Sequence, residues 1–272
     1  MLLNFDLPFG MSPVSFVALE LIMASSGLMS GLSGFGFSAI GAISLAFLQP
    51  ALAVPLLMSL STMNQLLSIK QLKADMKPLS QWWPAGPGGY ILGGMAGAPI
   101  GLWLLHVLPV NALMVVFGIF LMAYGTYSLF KPANLVLRLS NSKFSSFAVG
   151  GLGGILGGFT AFPGAAVVIW SGLRNMPKAE SRAIVQPYIL AMQIFSLLLL
   201  AIFKPESFSK EFAMFFLLLL PIVLPSTLAG TIMYKKLSDF NFRRIAFLLL
   251  TSSGLGIFIK GSHAAMLTGA LV

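Results

Sequence analysis

Two apolar stretches of the chain are interrupted by runs of glycine and hydroxyl residues that occupy equivalent places in its two halves. The runs are Gly31–Ser38 (GLSGFGFS) and Gly158–Ala165 (GFTAFPGA). A shift of 127 positions aligns Ser33 of the first run with Thr160 of the second. Further pairs at shifts of 127 or 129 are Phe35 with Phe162, Ser44 with Ser171, Pro50 with Pro177, Gly101 with Gly230, and Gly125 with Gly254. Hydrophobic segments interrupted at corresponding places of two repeats are the best sequence indicator of a transporter binding site.

The amino-acid composition places the chain in a lipid bilayer. Hydrophobic residues make up 57% of the sequence, charged residues 8%, and the mean hydropathy is +0.93. Segments 21–69 and 78–130 contain no Asp, Glu, Lys or Arg, so each has room for two spanning helices of about 20 residues. The lack of cysteine excludes disulfides and thiolate metal ligands. No basic region precedes the first apolar stretch, so we expect no cleaved signal peptide.

The positions of Lys and Arg favour two re-entrant segments over eight simple crossings. If all eight apolar units cross, the two sides carry 9 and 7 basic residues, which gives no preference. If the interrupted units enter and leave on one face, 13 of the 16 basic residues share a side, which the positive-inside rule assigns to the cytoplasm. Three crossings and one hairpin per half then invert one half relative to the other. The alternative is a broken crossing helix, because residues 13–32 are long enough to span.

We therefore predict an all-α polytopic membrane protein made of two inverted repeats, residues 1–133 and 134–272, within one membrane domain. Each repeat is expected to contain a broken-helix hairpin and three transmembrane helices. The polar linker 134–142 separates the repeats. The predicted hairpins are Pro13–Leu48 and Phe144–Leu173, and the predicted helices are Ala51–Ile69, Trp83–His106, Val110–Phe130, Ser181–Phe203, Glu211–Tyr234 and Phe242–Lys260.

The interruptions predict a site for an anion. Non-helical backbone inside a bilayer is tolerated only where protein or a polar cavity satisfies its N–H and C=O groups. Helices resuming after Phe37 and Pro163 would offer free N–H groups and about half an elementary positive charge each, without a buried Lys or Arg. The candidate substrate-binding residues at the breaks are Ser33, Gly34, Phe35, Gly36, Phe37, Ser38, Thr160, Ala161, Phe162 and Gly164. The alternative is that the glycines only allow close helix packing, which better explains the ridge from Gly89 to Gly101.

The helix after each interruption carries polar residues on one face. They are Ser61, Asn64, Gln65 and Ser68 in the first half, and Arg182, Gln186, Gln193 and Ser196 in the second. Amides inside a bilayer need partners, so these residues either bond neighbouring helices or line a polar pathway. The amides Asn64, Gln65, Gln186 and Gln193 complete the candidate substrate site. Arg174 and Arg182 flank the second hairpin, and they either attract an anion to the cytoplasmic mouth or only set the topology.

Two glycine-rich segments carry a family resemblance. They are residues 27–37 (GLMSGLSGFGF), followed by Pro55-Leu-Leu, and residues 150–164 (GGLGGILGGFTAFPG). These segments, and the two-repeat layout over most of the chain, resemble the TauE/SafE family of sulfite exporters. The resemblance implies export of sulfite or small organosulfonates such as sulfoacetate across the bacterial inner membrane. Phe37 and Ser38 replace the family's consecutive glycines, and Phe35, Phe37 and Phe162 would form an apolar wall suited to a substrate with a carbon body.

The leading prediction is a secondary transporter that exports a small sulfur-containing anion by alternating access, with substrate at opposed helix N-termini near the bilayer midplane. The alternatives are a passive channel for a small anion or neutral solute, and a membrane scaffold, which would need amphipathic or charged cytosolic segments. No Walker motif and no nucleophile beside a base is present, so we expect neither an enzyme nor a cofactor. The expected partners are a small anionic substrate and the bilayer, not nucleic acid. Subunit number is open, with a homodimer as one option.

Overall fold

The structure consists of α-helices joined by short connections. The computed structural model describes residues 11–71, 82, 86–107, 109–130, 142–236 and 238–268, and these contain no β-strand. Their α-helices are α1 (Pro13–Ser33), α2 (Phe37–Gly41), α3 (Pro50–Gln71), α4 (Gly88–Val107), α5 (Val110–Phe130), α6 (Lys143–Thr160), α7 (Gly164–Leu173), α8 (Lys178–Phe203), α9 (Lys210–Lys235) and α10 (Asp239–Thr268). Short 3₁₀ helices follow α2 (Ala42–Ala46) and α8 (Pro205–Ser207). The predicted repeat boundary at residues 133 and 134 lies outside the described residues.

Serine side chains fix the start of three helices. Ser12, Ser142 and Ser209 precede α1, α6 and α9, and each side-chain oxygen accepts a hydrogen bond from the backbone N–H three residues later, at 3.0 to 3.2 Å. A serine in this position satisfies one of the N–H groups that a helix start leaves without a partner. Both long helices that lead into the interruptions, α1 and α6, therefore begin with the same cap.

Most predicted helix positions agree with the structure. α5 has the predicted bounds, and both predicted hairpins divide into a long helix, a break and a short helix. Some bounds differ from the predictions. α4 begins at Gly88, directly after the turn at 86–87, and its predicted start, Trp83, lies outside the described residues. α8 begins at Lys178 rather than Ser181, and α10 begins at Asp239 rather than Phe242. α10 continues past Lys260 to Thr268, because residues 261–268 contain no proline and include strong helix formers.

Four described helices are long and apolar enough to cross a membrane. They are α1, the Ala51–Ser68 part of α3, α8 and α9. α1 has 21 residues, and at 1.5 Å per residue it is about 31 Å long, close to the roughly 30 Å thickness of a hydrocarbon core. This length is compatible with both arrangements, the long arm of a re-entrant hairpin and a broken crossing helix.

The helices pair in a pattern that stays the same when the two halves are exchanged. α1 packs on α9, and its counterpart α6 packs on α4, which is the counterpart of α9. α3 packs on its counterpart α8, and α5 packs on its counterpart α10. Each long helix before a break therefore packs mainly on a helix of the other half, so the two halves share their packing surfaces.

Glycines bring the paired helices into backbone contact. A Cβ atom on Gly97 of α4 would overlap the carbonyl oxygen of Gly151 on α6, and a Cβ on Gly31 of α1 would overlap that of Thr227 on α9. Only glycine allows such an approach. The ridge on α4 is therefore a packing surface, as the alternative interpretation predicted for it. Gly31, at the start of the first interruption, has the same function.

Candidate functional site

Both interruptions end a long helix with the same backbone turn. Gly34, after α1, has a φ of 85°, and Ala161, after α6, has a φ of 58°. Their N–H groups donate to the carbonyls of Ser30 at 2.7 Å and Gly157 at 2.9 Å. The shift of 127 also aligns Gly34 with Ala161, so the similarity of the two runs corresponds to a shared local structure.

The predicted hydroxyl ligands hold the backbone of these turns. Ser33 Oγ donates to the carbonyl four residues earlier at 2.7 Å, and it accepts from the N–H groups two and three residues later at 3.3 and 3.0 Å. Thr160 Oγ1 donates to the carbonyl four residues earlier at 2.6 Å and accepts from the N–H of Phe162 at 3.1 Å. Both hydroxyl hydrogens are thus directed into their own helices, and both oxygens satisfy backbone that has left the helix.

The two interruptions lie side by side at a pair of aligned phenylalanines. The rings of Phe35 and Phe162 stack with centroids 6.4 Å apart and an interplanar angle of 12°, and both are buried. The predicted wall of three phenylalanines is wrong for Phe37. Because α2 begins at Phe37, its ring belongs to a different apolar cluster, with Leu19 and Met23 of α1.

The helices that resume after the breaks are unequal. α2 has five residues before it tightens into a 3₁₀ helix, whereas α7 has ten residues and follows Pro163. The macrodipole of so short a helix as α2 is weak, and the N–H of Gly36 already donates to Ser33. Ser38 is buried within α2, and a Cβ on Gly164 would lie 2.6 Å from Ile189 Cδ1 of α8. Gly164 therefore allows α7 to approach α8.

The polar stripes of α3 and α8 are buried between the helices. All eight residues are at most 3% exposed: Ser61, Asn64, Gln65, Ser68, Arg182, Gln186, Gln193 and Ser196. Two of them reach the first interruption from α3. Asn64 Nδ2 donates to Ser30 Oγ, and Gln65 Nε2 donates to the carbonyl of Gly34 at 3.0 Å. Asn64 and Gln65 thus bond to the neighbouring helix α1 and to the residue that ends it, which is the first of the two alternatives for these amides.

Several of the buried amide atoms have no hydrogen-bond partner in the protein. They are Asn64 Oδ1, Gln65 Oε1, Gln186 Nε2, and both Nε2 and Oε1 of Gln193. Leaving one such group unsatisfied costs about 1–3 kcal/mol. Native structures rarely leave this many polar atoms unsatisfied together unless water or a ligand binds them. The buried amides of α3 and α8 therefore have the free donors and acceptors to bind water or a polar ligand.

Arg182 is a buried cation beside the first interruption, and this corrects the expectation of a site without one. Its Nη2 donates to the carbonyl of Gly31 at 2.8 Å, and its guanidinium lies 4.1 Å from the ring centroid of Tyr234 on α9. A Cβ on Gly34 would lie 3.2 Å from Arg182 Cγ and Nε and 3.3 Å from Gln186 Cγ. The sequence contained a signal for this position, because Arg182 lies on the same helix face as Gln186. A basic residue there also fits a role in setting the membrane topology, so the sequence did not decide between the two.

A protein-family profile described as "Sulfite exporter TauE/SafE" matches residues 19–257, from α1 into α10. The match includes both interruptions and both polar stripes. The chain belongs to this family. No curated protein and no solved structure matches the chain significantly. The family match confirms the resemblance that the glycine-rich segments indicated. The chain is a multi-pass membrane protein of an exporter family.

An outward-facing cavity of this TauE/SafE protein is apolar. A cavity of about 320 Å³ between α4 and α8 is lined by Pro99, Leu102, Trp103, Leu199, Leu200, Phe203 and Lys204. Trp103 is 60% exposed and Phe203 71% exposed, and Lys204 Nζ lies 3.7 Å from Glu206. Such a surface suits lipid chains better than an anion. Among the described residues, no group of three His, Asp or Glu could hold a metal ion.

Proposed function

We propose that the chain is a secondary transporter that exports a small sulfur-containing anion, sulfite or an organosulfonate such as sulfoacetate, across the bacterial inner membrane. Family membership supports export of sulfite. The cation of Arg182 and the unpartnered amides of α3 and α8 supply positive charge and hydrogen-bond donors for an oxyanion.

The substrate binds between α3 and α8 at the two interruptions. The observation that carries this assignment is the group of buried amide atoms without partners, on Asn64, Gln65, Gln186 and Gln193. The stacked pair Phe35 and Phe162 borders the same region and can contact the carbon body of an organosulfonate. Ser33 and Thr160 act indirectly, because their hydroxyls hold the turns that shape the site.

Transport proceeds by alternating access of two inverted repeats around this site. The pairing of α1 with α9 and of α6 with α4 supports a two-fold relation between the halves. The start of α7 adds partial positive charge from one side. Rocking of one half against the other would open the interface of α3 and α8 to each face of the membrane in turn.

Flux in proteoliposomes tests the proposal. Gln193 has both amide atoms unpartnered, so Gln193→Leu removes a donor and an acceptor while keeping a similar volume. We expect sulfite flux to fall at least tenfold, since each lost hydrogen bond to an anion contributes about 1.5–3 kcal/mol. The matched control is Ser252→Ala in α10, whose hydroxyl is exposed and bonded within its own helix. Equal flux in both variants would contradict the assignment of the substrate site to these amides.

Counterflow separates a transporter from a channel. If the protein is a carrier, proteoliposomes preloaded with unlabelled sulfite take up labelled sulfite faster than empty ones, and the uptake rate saturates with sulfite concentration. Both effects follow because each transport cycle exposes one binding site to one side at a time. Non-saturating flux without counterflow would show that the alternative, a passive channel for a small anion or neutral solute, is correct.

A further inference from the structure

One amide of the candidate site has a fixed orientation. Gln65 is 1% exposed, and its Nε2 donates to the carbonyl oxygen of Gly34 at 3.0 Å. A carbonyl oxygen can only accept, so turning the amide over would place two acceptors against each other. Gln65 Oε1 is therefore a fixed acceptor, and it has no partner in the protein.

The other unpartnered amides can adapt to a ligand. Asn64 bonds to the hydroxyl of Ser30, which can donate as well as accept, so either end of the Asn64 amide can face the site. Both ends of Gln193 are without partners, so its amide can also present either end. These two residues can turn their donors towards an oxyanion, whereas Gln65 cannot.

Near Gly34 the site therefore combines cationic and neutral donors with one obligatory acceptor. Arg182 and Gln186 both lie against Gly34, at 3.2 and 3.3 Å from the position of a Cβ atom, and Gln186 Nε2 is an unpartnered donor. The donors of Arg182 and Gln186 can bind the negative oxygens of a ligand. The acceptor Gln65 Oε1 repels such oxygens, because an oxyanion without a proton offers only lone pairs.

We infer that the transported anion carries a hydrogen-bond donor in addition to its anionic oxygens, and that Gln65 selects for that donor. This inference rests on the proposed function and narrows its substrate class. Sulfite would be carried as hydrogensulfite, which retains a proton. Among organosulfonates, those with a hydroxyl or ammonium group on the carbon body would be preferred over alkyl sulfonates. Dianions without a donor would be excluded, which removes sulfate and also ionised sulfoacetate from the broader substrate class proposed above.

The sharpest test uses two sulfonates of equal size and charge. 2-Hydroxyethanesulfonate and propanesulfonate differ only by a hydroxyl in place of a methyl group, and both remain monoanions across the working pH range. Their Kd values are measured by calorimetry on the purified full chain and checked by inhibition of sulfite flux in proteoliposomes. We expect the hydroxyl compound to bind roughly tenfold tighter, although it is the less hydrophobic ligand.

The variant Gln65→Met keeps the length of the side chain and removes the acceptor. We expect the ratio of the two Kd values to fall to about one, whatever happens to the absolute affinities. A loss of structure at the turn would weaken both ligands alike. Gln193→Leu provides that comparison, because it should weaken both ligands and preserve their ratio.

The outcomes distinguish the two levels of the proposal. If the wild-type protein binds neither sulfonate and transports no sulfite, the proposed function fails. If it binds both sulfonates equally, or if Gln65→Met leaves their ratio unchanged, a water molecule rather than the substrate satisfies Gln65 Oε1, and the donor requirement is wrong while the transporter assignment stands.

Discussion

At the residue scale, Gly34 is the position where the first interruption meets side chains of both polar stripes. It has left-handed backbone, and side-chain atoms of Arg182 and Gln186 lie 3.2 to 3.3 Å from where its Cβ would be. Its carbonyl also accepts from Gln65. One residue without a side chain thus contacts both polar stripes. Its aligned partner Ala161 has the same turn with a Cβ present, which offers a natural comparison.

Replacing Gly34 should impair the site, whereas the reverse change at Ala161 should not. Gly34→Ala adds a Cβ to a left-handed residue, which costs about 1–2 kcal/mol of stability, and it pushes Arg182 and Gln186 aside. Ala161→Gly relieves the same backbone strain and loses one buried methyl group, so the net change should stay within about 1 kcal/mol.

Thermal unfolding in detergent and sulfite flux check this pair. Gly34→Ala should lower both the midpoint of unfolding and the flux. Ala161→Gly should leave both near wild type. Equal behaviour of the two variants would mean that the crowding at Gly34 has no functional weight.

At the element scale, the backbone contact of α4 with α6 positions the second interruption. Gly93, Gly97 and Gly101 each have a carbonyl-bearing backbone of α6 where a Cβ would be. Gly151, on the facing helix, is different, because a Cβ there would lie 3.5 Å from the carbonyl oxygen of Gly93, an ordinary contact distance. The glycines of the two facing helices are therefore not equally necessary for the close packing of α4 on α6.

This difference predicts opposite effects of two alanine substitutions. Gly97→Ala should force α4 and α6 apart and destabilise the protein by about 2 kcal/mol, the usual magnitude of overpacking. Gly151→Ala should be neutral or stabilising by up to about 1 kcal/mol, because alanine favours a helix over glycine. The measurement is the midpoint of thermal unfolding of each purified variant. A destabilisation by Gly151→Ala as large as that by Gly97→Ala would contradict the packing described.

At the scale of the whole molecule, Arg182 connects the two halves. It belongs to α8, its guanidinium donates to the C-terminal carbonyls of α1, and it stacks on Tyr234 of α9. A cation at the C-terminal end of α1 also complements the helix dipole. Lys178, one turn earlier on α8, lies 4.9 Å from the same ring, but its side chain is only partly buried.

Arg182→Gln should therefore weaken both stability and transport, and Lys178→Gln should have a smaller effect. The first change removes hydrogen bonds from a charged donor and a buried cation–π contact, together about 3 kcal/mol, and it removes a positive charge from the site. We expect the KM for sulfite to rise in Arg182→Gln more than in Lys178→Gln, with thermal unfolding shifted in the same order. An unchanged KM in Arg182→Gln would assign this residue to structure alone.

The broad organisation of the molecule could be read from the sequence because it depends on local chemistry. The glycine and hydroxyl runs mark where helices break, and the four-residue spacing of Asn64 with Ser68, or of Arg182 with Gln186, marks a polar helix face. Residue-level functions were harder to predict. A hydroxyl next to a break can bind an anion or cap the turn, and only the contacts of Ser33 and Thr160 show that both hydroxyls bond to their own backbone.

The sequence by itself determined that this chain is helical and lipid-embedded, that its helices break at two aligned places, and that amides follow each break, because hydropathy, glycine content and helical periodicity are properties of neighbouring residues. Tertiary structure decided that Phe35 stacks on Phe162 and that α4 packs on α6. It also decided that Arg182 is buried against α1 and that Gln65 Oε1 has no partner in the protein. These facts depend on contacts between residues separated by 31 to 151 positions, and no local pattern specifies which distant surfaces will meet.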